Sequence, residues 1–293
     1  MKRAILLLAA AVMLIPGCKN ATKGAPAPAA PEKKVMARAV PERADDFVFE
    51  NDLIAGRFYG EALEGNPTSP GIDIWVKLPG ALVADSWYAE AQNDPEYYHH
   101  DHGGKDCYKV AVSLGGGASV PLVDGKFAFA PTNYRSSEIL EDSPEKVVFV
   151  LHYPEWEVGS LKVSLDKKVT VIAGSYFSEV EDTYNYTGAE SLTVAAGFFL
   201  HGRGGESEMF STTDRIAVWE VASDQSVEPE DGMIGVAVVM PGAEKVYVDS
   251  TLDHALCLKT VASGEPLRYS FASAWSKGNI KTSGDWFAEV EKH

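Results

Sequence analysis

Residues 146–153, Lys146-Val-Val-Phe-Val-Leu-His-Tyr153, are followed by residues 157–166, Glu157-Val-Gly-Ser-Leu-Lys-Val-Ser-Leu-Asp166, and residues 168–172, Lys168-Val-Thr-Val-Ile172. β-branched and aromatic residues dominate each run. Such runs, separated by short polar stretches, read as strands. The polar Asp166-Lys167-Lys168 reads as a turn between two of them. The same pattern extends outward through residues 126–130 and 133–141 on one side. On the other it continues through 176–186, 192–201, 214–220, 232–240, 245–249, 255–261 and 266–275. Nearer the N-terminus, Phe47-Val48-Phe49 and Leu53-Ile54-Ala55 flank Glu50-Asn51-Asp52, which predicts a hairpin over residues 46–60. Residues 71–77 alternate as a strand, and residues 108–113 form another before the Gly115-Gly116-Gly117 turn. Residues 84–91 suit a short helix, and residues 283–290 suit a second one with a capping residue at its start. The sum, about fourteen strands, predicts an all-β chain. Its fold class is a large antiparallel β-sandwich with a short C-terminal helix.

The N-terminus has a different character. Met1-Lys2-Arg3 is basic, and residues 4–15 are an apolar run too short to anchor across a bilayer. Ile15-Pro16-Gly17-Cys18 resembles a bacterial lipobox. Residues 1–17 are therefore expected to be a lipoprotein signal peptide, with Cys18 lipidated. Lys19 stands where an inner-membrane retention aspartate would be, so a periplasmic or outer-membrane location follows, with contact to the membrane by the N-terminal lipid anchor only. Residues 18–43, rich in Ala, Pro, Lys and Glu, read as a flexible tether. Residues 44–293 read as a single β-sandwich domain.

The chain carries 26 Lys and Arg against 42 Asp and Glu, a formal charge of −16. Loss of Lys2 and Arg3 would deepen it. That balance argues against nucleic-acid binding. An anionic partner would need a locally basic pocket. Besides Cys18, Cys107 and Cys257 are either a disulfide pair or two isolated thiols. No nucleophile-elbow, Walker, dinucleotide or His-Glu-x-x-His motif occurs, so no nucleotide cofactor is expected.

Function is sought in Tyr97-Tyr98-His99-His100-Asp101-His102-Gly103-Gly104-Lys105-Asp106, which holds three of the seven histidines. Its composition buries little apolar surface. His99 or His102 suits proton transfer near neutral pH. The pair could instead join a divalent metal, with His201 or His254 as a further ligand, or the loop could be a polar surface without chemistry. Tyr98 suits a proton donor or a packing residue. Arg57, between Ala55-Gly56 and Phe58-Tyr59, requires an anionic partner, either an internal acid such as Asp52 or Asp73 or a substrate carboxylate. Arg135 and Arg203 share that ambiguity. Asp73 and Trp75 fall on one face of a strand and could form a sugar platform, or a solvated face.

Asp45-Asp46-Phe47, Arg57-Phe58-Tyr59-Gly60, residues 71–77, Trp87-Tyr88, Tyr98-His99-His100-Asp101-His102-Gly103, Asp106 and Tyr108 occur in an order that resembles domain-of-unknown-function family 4861 of polysaccharide-utilisation loci. Gly104-Lys105 departs from the Gly-Glu-Gly-like stretch of that pattern. The resemblance implies a secreted carbohydrate-active protein, its domain over residues 44–293 a supersandwich of galactose-mutarotase-like kind. Some members look like dehydratases that remove water across C4 and C5 of a terminal uronate, a lyase-type β-elimination on an anionic oligosaccharide. On that reading His99 or His102 is the base, Tyr98 the acid, and Arg57 the partner of the carboxylate. Asp101 orients a histidine, and Asp73, Trp75, Arg135 and His201 line the substrate. A glycoside hydrolase on the same fold, and a non-catalytic surface glycan-binding lipoprotein, are the competing readings.

Overall fold

The structure is a computed structural model and describes residues 32–64, 70–201, 207–222 and 231–293. The expected signal peptide, Cys18, most of the expected tether and Arg203 lie outside the described residues. Along the chain, β1 (Val35–Val40), β2 (Asp46–Asn51), β3 (Ala55–Phe58) and β4 (Asp73–Lys77) pair in order. After α1 (Ala84–Ala91), the two-residue β5 (Gly104–Lys105) completes that sheet. β6 (Ser119–Val123) and β7 (Lys126–Phe127) follow, then β8 (Ser136–Asp142), β9 (Lys146–Val158), β10 (Leu161–Ile172) and β11 (Phe177–Tyr186). The remaining elements are β12 (Leu192–Phe199), β13 (Ser207–Ser211), β14 (Arg215–Val221), β15 (Met233–Val239), β16 (Lys245–Asp249), β17 (His254–Val261), β18 (Pro266–Trp275) and α2 (Ser283–Lys292). An eight-stranded sheet runs β13-β14-β15-β18-β11-β10-β9-β8, and a five-stranded sheet runs β16-β17-β12-β6-β7. These strands pair antiparallel throughout, and the fold is the predicted antiparallel β-sandwich with a short C-terminal helix.

One core joins the sheets. Phe149, Val169, Tyr184 and Phe271 come from the eight-stranded sheet, Val194, Phe198 and Leu256 from the five-stranded one, and Phe47, Phe49 and Ile74 from the first. α2 lies on a second apolar layer, where Trp286 and Val290 cover Ala217, Ala237 and Ala272. The helix fits because Gly235 leaves room for the Trp286 ring, which a Cβ there would approach to 2.7 Å. Thr282 caps its first turn through the Asp285 N–H, and Asp285 caps in return.

The hairpin of β9 and β10 corrects the opening reading. Its turn is at Gly159, whose φ of 61° belongs to glycine. Asp166-Lys167-Lys168 is not a turn but mid-strand, with Lys167 opposite Leu151 and Asp182. Charge there marks a buried ion pair (Lys167 with Asp182) and a cross-strand pair of Asp166 with His152, not a chain reversal. Pro154, which has no N–H for the ladder, lies in the part of β9 where the register to β10 shifts, between Val163 and Leu165.

The folded part begins before residue 44. Val35–Val40, assigned to the tether, pairs with β2 and buries Val35 and Val40 completely. Residues 108–113 are not a strand. Ala111 takes a positive φ of 49°, and the Tyr108 hydroxyl instead donates to the oxygens of Gly115 and Phe199. Cys107 and Cys257 are both buried and are not bonded to each other, so the disulfide alternative falls. Burial pushes the Cys257 thiol up to about 12.

Candidate active site

β2, β3 and β4 each place every second side chain in the sandwich core: Phe47 and Phe49, Phe58, and Ile74 and Val76. The alternate phase, Asp46, Val48 and Glu50, then Ala55 and Arg57, then Asp73, Trp75 and Lys77, would be solvated on an open sheet. Here α1 and the histidine loop cover it. Trp87, Tyr88 and Tyr98 pack with Val48 and Trp75 in a separate apolar cluster. The helix is fixed by Glu50, whose carboxylate accepts the Val83 and Ala84 N–H groups at 2.7 and 2.9 Å and holds the Lys77 ammonium at 2.5 Å. A carboxylate at a helix N-terminus meets the free N–H groups there.

Arg57 is at the centre of this second interior. Its Nε donates to Asp73 Oδ2 at 2.7 Å and its Nη2 to Asp106 Oδ2 at 2.7 Å, while Nη1 is 3.6 Å from Asp46 Oδ2. The rings of Tyr98, Trp75 and Tyr59 face the guanidinium at 5.2, 5.3 and 5.5 Å. Arg43 adds a second cation, donating to both oxygens of Asp46. Arg57, Asp73 and Asp106 are 3 %, 1 % and 1 % exposed.

Three buried carboxylates thus face two guanidiniums, and such a cluster favours keeping a proton. Burial first, then the charge of Asp73, raises Asp106 well above the ordinary carboxylate range against the pull of Arg57. Burial also pushes Asp46 up to about 6, opposed by Arg57 and Arg43. Arg57 Nη1, Asp73 Oδ1, Asp106 Oδ1 and Trp75 Nε1 have no hydrogen-bond partner among the described residues. Buried groups of this kind are met by ordered water or by a ligand.

The histidine loop connects this interior to the surface. It starts with a single 3-10 turn, Tyr97–His99, and returns so that the Asp106 N–H donates to the Tyr98 oxygen at 2.7 Å. Gly104 lies opposite Lys77, where a Cβ would come within 2.3 Å of the Val76 oxygen, so the close pairing needs glycine. Lys105 reaches Asp231 at 2.7 Å. His99, its side chain 25 % exposed, has Nδ1 at 3.2 Å from the Asp106 main-chain oxygen and 3.9 Å from the Asp106 carboxylate. A carbonyl only accepts, so Nδ1 carries the proton and Nε2 keeps a lone pair. His102 is exposed and stacks on Tyr97 with centroids 3.8 Å apart.

The predicted site residues therefore separate into groups. Arg57, Asp73, Trp75, Tyr98 and His99 come together. Arg57 has internal acids for partners, so it is not open to a substrate carboxylate. Asp73 and Trp75 are buried beneath α1 and make no platform. Tyr98 is buried, stacked on Trp75 at 5.8 Å. Asp101 does not orient a histidine: it accepts the Gly103 and Gly104 N–H groups and binds Lys277 at 2.8 Å. Arg135 lies elsewhere, paired with Glu64 beside β8. His201 is buried with both nitrogens engaged, by Glu220 at 2.8 Å and the Lys109 oxygen at 2.9 Å. His254 is likewise taken, by Leu114 N–H and the Leu252 oxygen. Neither can serve as the third metal ligand. Among the described residues no group of three His, Cys, Asp or Glu side chains is arranged to hold a metal ion. Asp46, Arg43 and Tyr88 were not singled out as site residues in sequence. The signal for Asp46 is its phase, alternating with Phe47 and Phe49 in the same run as Glu50.

A family model described as "Domain of unknown function (DUF4861)" matches residues 10–293. "Uncharacterized protein P7" from Formosa agariphila is 31% identical over 270 residues, which cover 87% of this chain and 66% of that relative. The chain thus spans just under two thirds of that relative's length. Among solved structures, a GH36 alpha-galactosidase from Geobacillus stearothermophilus in complex with raffinose matches at 9% identity and a TM-score of 0.35, over 78% of this chain and 40% of that one. A galactose mutarotase related enzyme from Lactobacillus acidophilus matches at 12% identity and a TM-score of 0.32, over 78% and 97%.

Proposed function

This chain belongs to the DUF4861 family, and on that premise we propose that it is a carbohydrate-active enzyme that eliminates water from the uronic-acid end of an oligosaccharide. The observation that carries the reading is the seat of His99: Nδ1 lies 3.2 Å from the Asp106 main-chain oxygen, which leaves Nε2 as the acceptor on a partly exposed ring. His99 Nε2 takes the C5 proton, the C5–H electron pair becomes the C4–C5 double bond, and the C4–O bond breaks. His102, held flat on Tyr97, protonates the departing hydroxyl, which leaves as water. Lys277, held at the loop by Asp101, supplies the cation beside the uronate carboxylate. The buried Arg57 centre is the base's support: it fixes Asp106, whose main-chain oxygen accepts the His99 Nδ1 proton and favours the imidazolium that forms on proton abstraction. Tyr98 packs the loop against Trp75 and is not the acid in this scheme.

The same reading places the enzyme outside the cytoplasm, lipidated at Cys18 and held at the outer membrane or in the periplasm. The lipobox-like Ile15-Pro16-Gly17-Cys18 supports it. One observation favours a non-catalytic glycan-binding role instead: Arg57, the buried cation of the region, is engaged by the internal acids Asp73 and Asp106. Incubation with single uronate-ended oligosaccharides separates these readings by product mass. The enzyme yields a product lighter by one water, a hydrolase yields shorter chains, and a binding protein leaves the mass unchanged.

A further inference from the structure

Asp101 serves the loop with one oxygen and a lysine with the other. Its Oδ1 accepts the Gly103 and Gly104 N–H groups at 3.0 and 3.2 Å, and its Oδ2 holds the Lys277 ammonium at 2.8 Å. The turn needs only an acceptor oxygen, which an asparagine amide would supply as well. The loop also has other fastenings. The Leu78 N–H donates to the Gly103 oxygen at 2.7 Å, Gly104 and Lys105 pair with β4, and Lys105 makes a buried ion pair with Asp231 at 2.7 Å. The negative charge at residue 101 is therefore not what holds the loop. Its consequence falls on Lys277.

Lys277 is set in place from the other side. It follows β18, and its ammonium lies over the Trp275 ring, 4.9 Å from the centroid. The indole is buried, and its N–H donates to the Asp231 main-chain oxygen at 2.7 Å. The Asp231 carboxylate is the one that takes Lys105. Asp231 thus ties the histidine loop and the Trp275 support into one frame. The cation–π contact that seats Lys277 does not depend on Asp101. The side chains of Lys277 and Asp101 are 33 % and 39 % exposed, unlike the buried pairs at Arg57 and Lys105, so a solute can reach this pair.

An ion pair this exposed is worth little, because water screens it and two long side chains are held in one geometry. A second carboxylate can therefore replace the first. We propose that in the free protein Asp101 occupies the seat of the substrate carboxylate on Lys277, so that an acidic sugar binds by carboxylate exchange. The ligand carboxylate comes onto the ammonium, Asp101 Oδ2 turns to water, and Oδ1 keeps the loop turn. The charge at the seat is the same before and after. A stray small anion gains nothing by trading one ion pair for another, whereas an acid that brings further contacts from its sugar ring does. Asp101 is thus a specificity residue and not a catalytic one. The proposal rests on the reading of Lys277 as the cation beside the uronate, and not on proton transfer at His99.

Isothermal titration tests it, with a panel of uronate-ended oligosaccharides and the same compounds after reduction of the carboxyl to an alcohol. The whole protein is used in the His99→Gln background, so that no ligand is consumed. Asp101→Asn keeps the acceptor of the turn and removes the competing charge. It should bind the uronate about twofold to fivefold more tightly, the worth of one exposed ion pair, and the reduced compound no more tightly than before. Lys277→Gln should abolish the preference for the uronate. A crystal of the His99→Gln protein with the uronate should show the ligand carboxylate on Lys277 and the Asp101 Oδ2 turned away, which keeps the test open if a variant fails to fold. Unchanged or weaker uronate binding in Asp101→Asn, a preference that survives Lys277→Gln, an intact Asp101–Lys277 pair beside the bound sugar, or no binding across the panel overturns the proposal. Tighter binding in Asp101→Asn while no oligosaccharide loses water upholds the exchange and removes the dehydratase reading alone. Water loss with the unaltered protein, together with equal affinity in Asp101→Asn, removes the exchange alone.

Discussion

His99 Nδ1 is 3.2 Å from the main-chain oxygen of Asp106 and 3.9 Å from the Asp106 carboxylate. One ring nitrogen thus faces the buried centre, and the other is free to act. Replacing His99 by Gln should lower kcat on a uronate-ended oligosaccharide by about 10²–10⁴, the usual loss of a general base. KM and the thermal midpoint should stay near the parent values, because the ring is partly exposed. A variant with unchanged kcat would remove His99 from the chemistry.

Arg57 contributes to stability and not to substrate contact. Its removal leaves Asp73, Asp106 and Asp46 without their shared cation in a dry interior. Arg57→Ala should cost about 3–5 kcal/mol of unfolding free energy, read as a lower urea midpoint. If Arg57 bound the substrate carboxylate instead, the variant would keep its midpoint and raise KM.

Asp46 predicts a pH dependence. Its folded value of about 6 lies above the ordinary aspartate value of 3.8, so the folded state binds the proton more tightly than the unfolded one. Stability from this group is full below about pH 4 and is lost as pH rises through about 6. The loss is at most about 3 kcal/mol. Thermal midpoints of the parent, measured from pH 4 to 7, should carry this falling component, and Asp46→Asn should not. Identical pH profiles in the two proteins would contradict the assignment.

The proposed lipidation of Cys18 predicts where the protein fractionates. Cys18→Ala should move the expressed protein from the membrane fraction to the soluble one. A variant that stays in the membrane fraction would show that no lipid at this residue holds it.

The strand content was legible because β-branched runs bounded by polar turns report local structure. The hairpin at β2 and β3, the helix at α1 and β18 follow the sequence closely. The predictions failed where charge was buried. Lys167 read as part of a turn because a lysine in an apolar row is costly; only the pairing with Asp182, fifteen residues on, makes it a strand residue. Asp73 and Trp75 read as an open face because alternation marks one buried side and says nothing of what covers the other. That cover, α1 held by Glu50, is a contact over more than thirty residues. The histidine loop was found by composition, yet the direction of His99 depends on Asp106 seven residues away. Arg135 and His201 share residue types with the site but meet Glu64 and Glu220 in other parts of the fold.

The central claim is that His99 abstracts a proton in a reaction that expels water. The most direct measurement is mass spectrometry of one purified uronate-ended oligosaccharide after incubation with the parent protein and with His99→Gln. The account predicts a product lighter by one water, with the absorbance of a conjugated double bond, from the parent and none from the variant. Shorter chains, an unchanged mass across a panel of such oligosaccharides, or the same product from both proteins would contradict it.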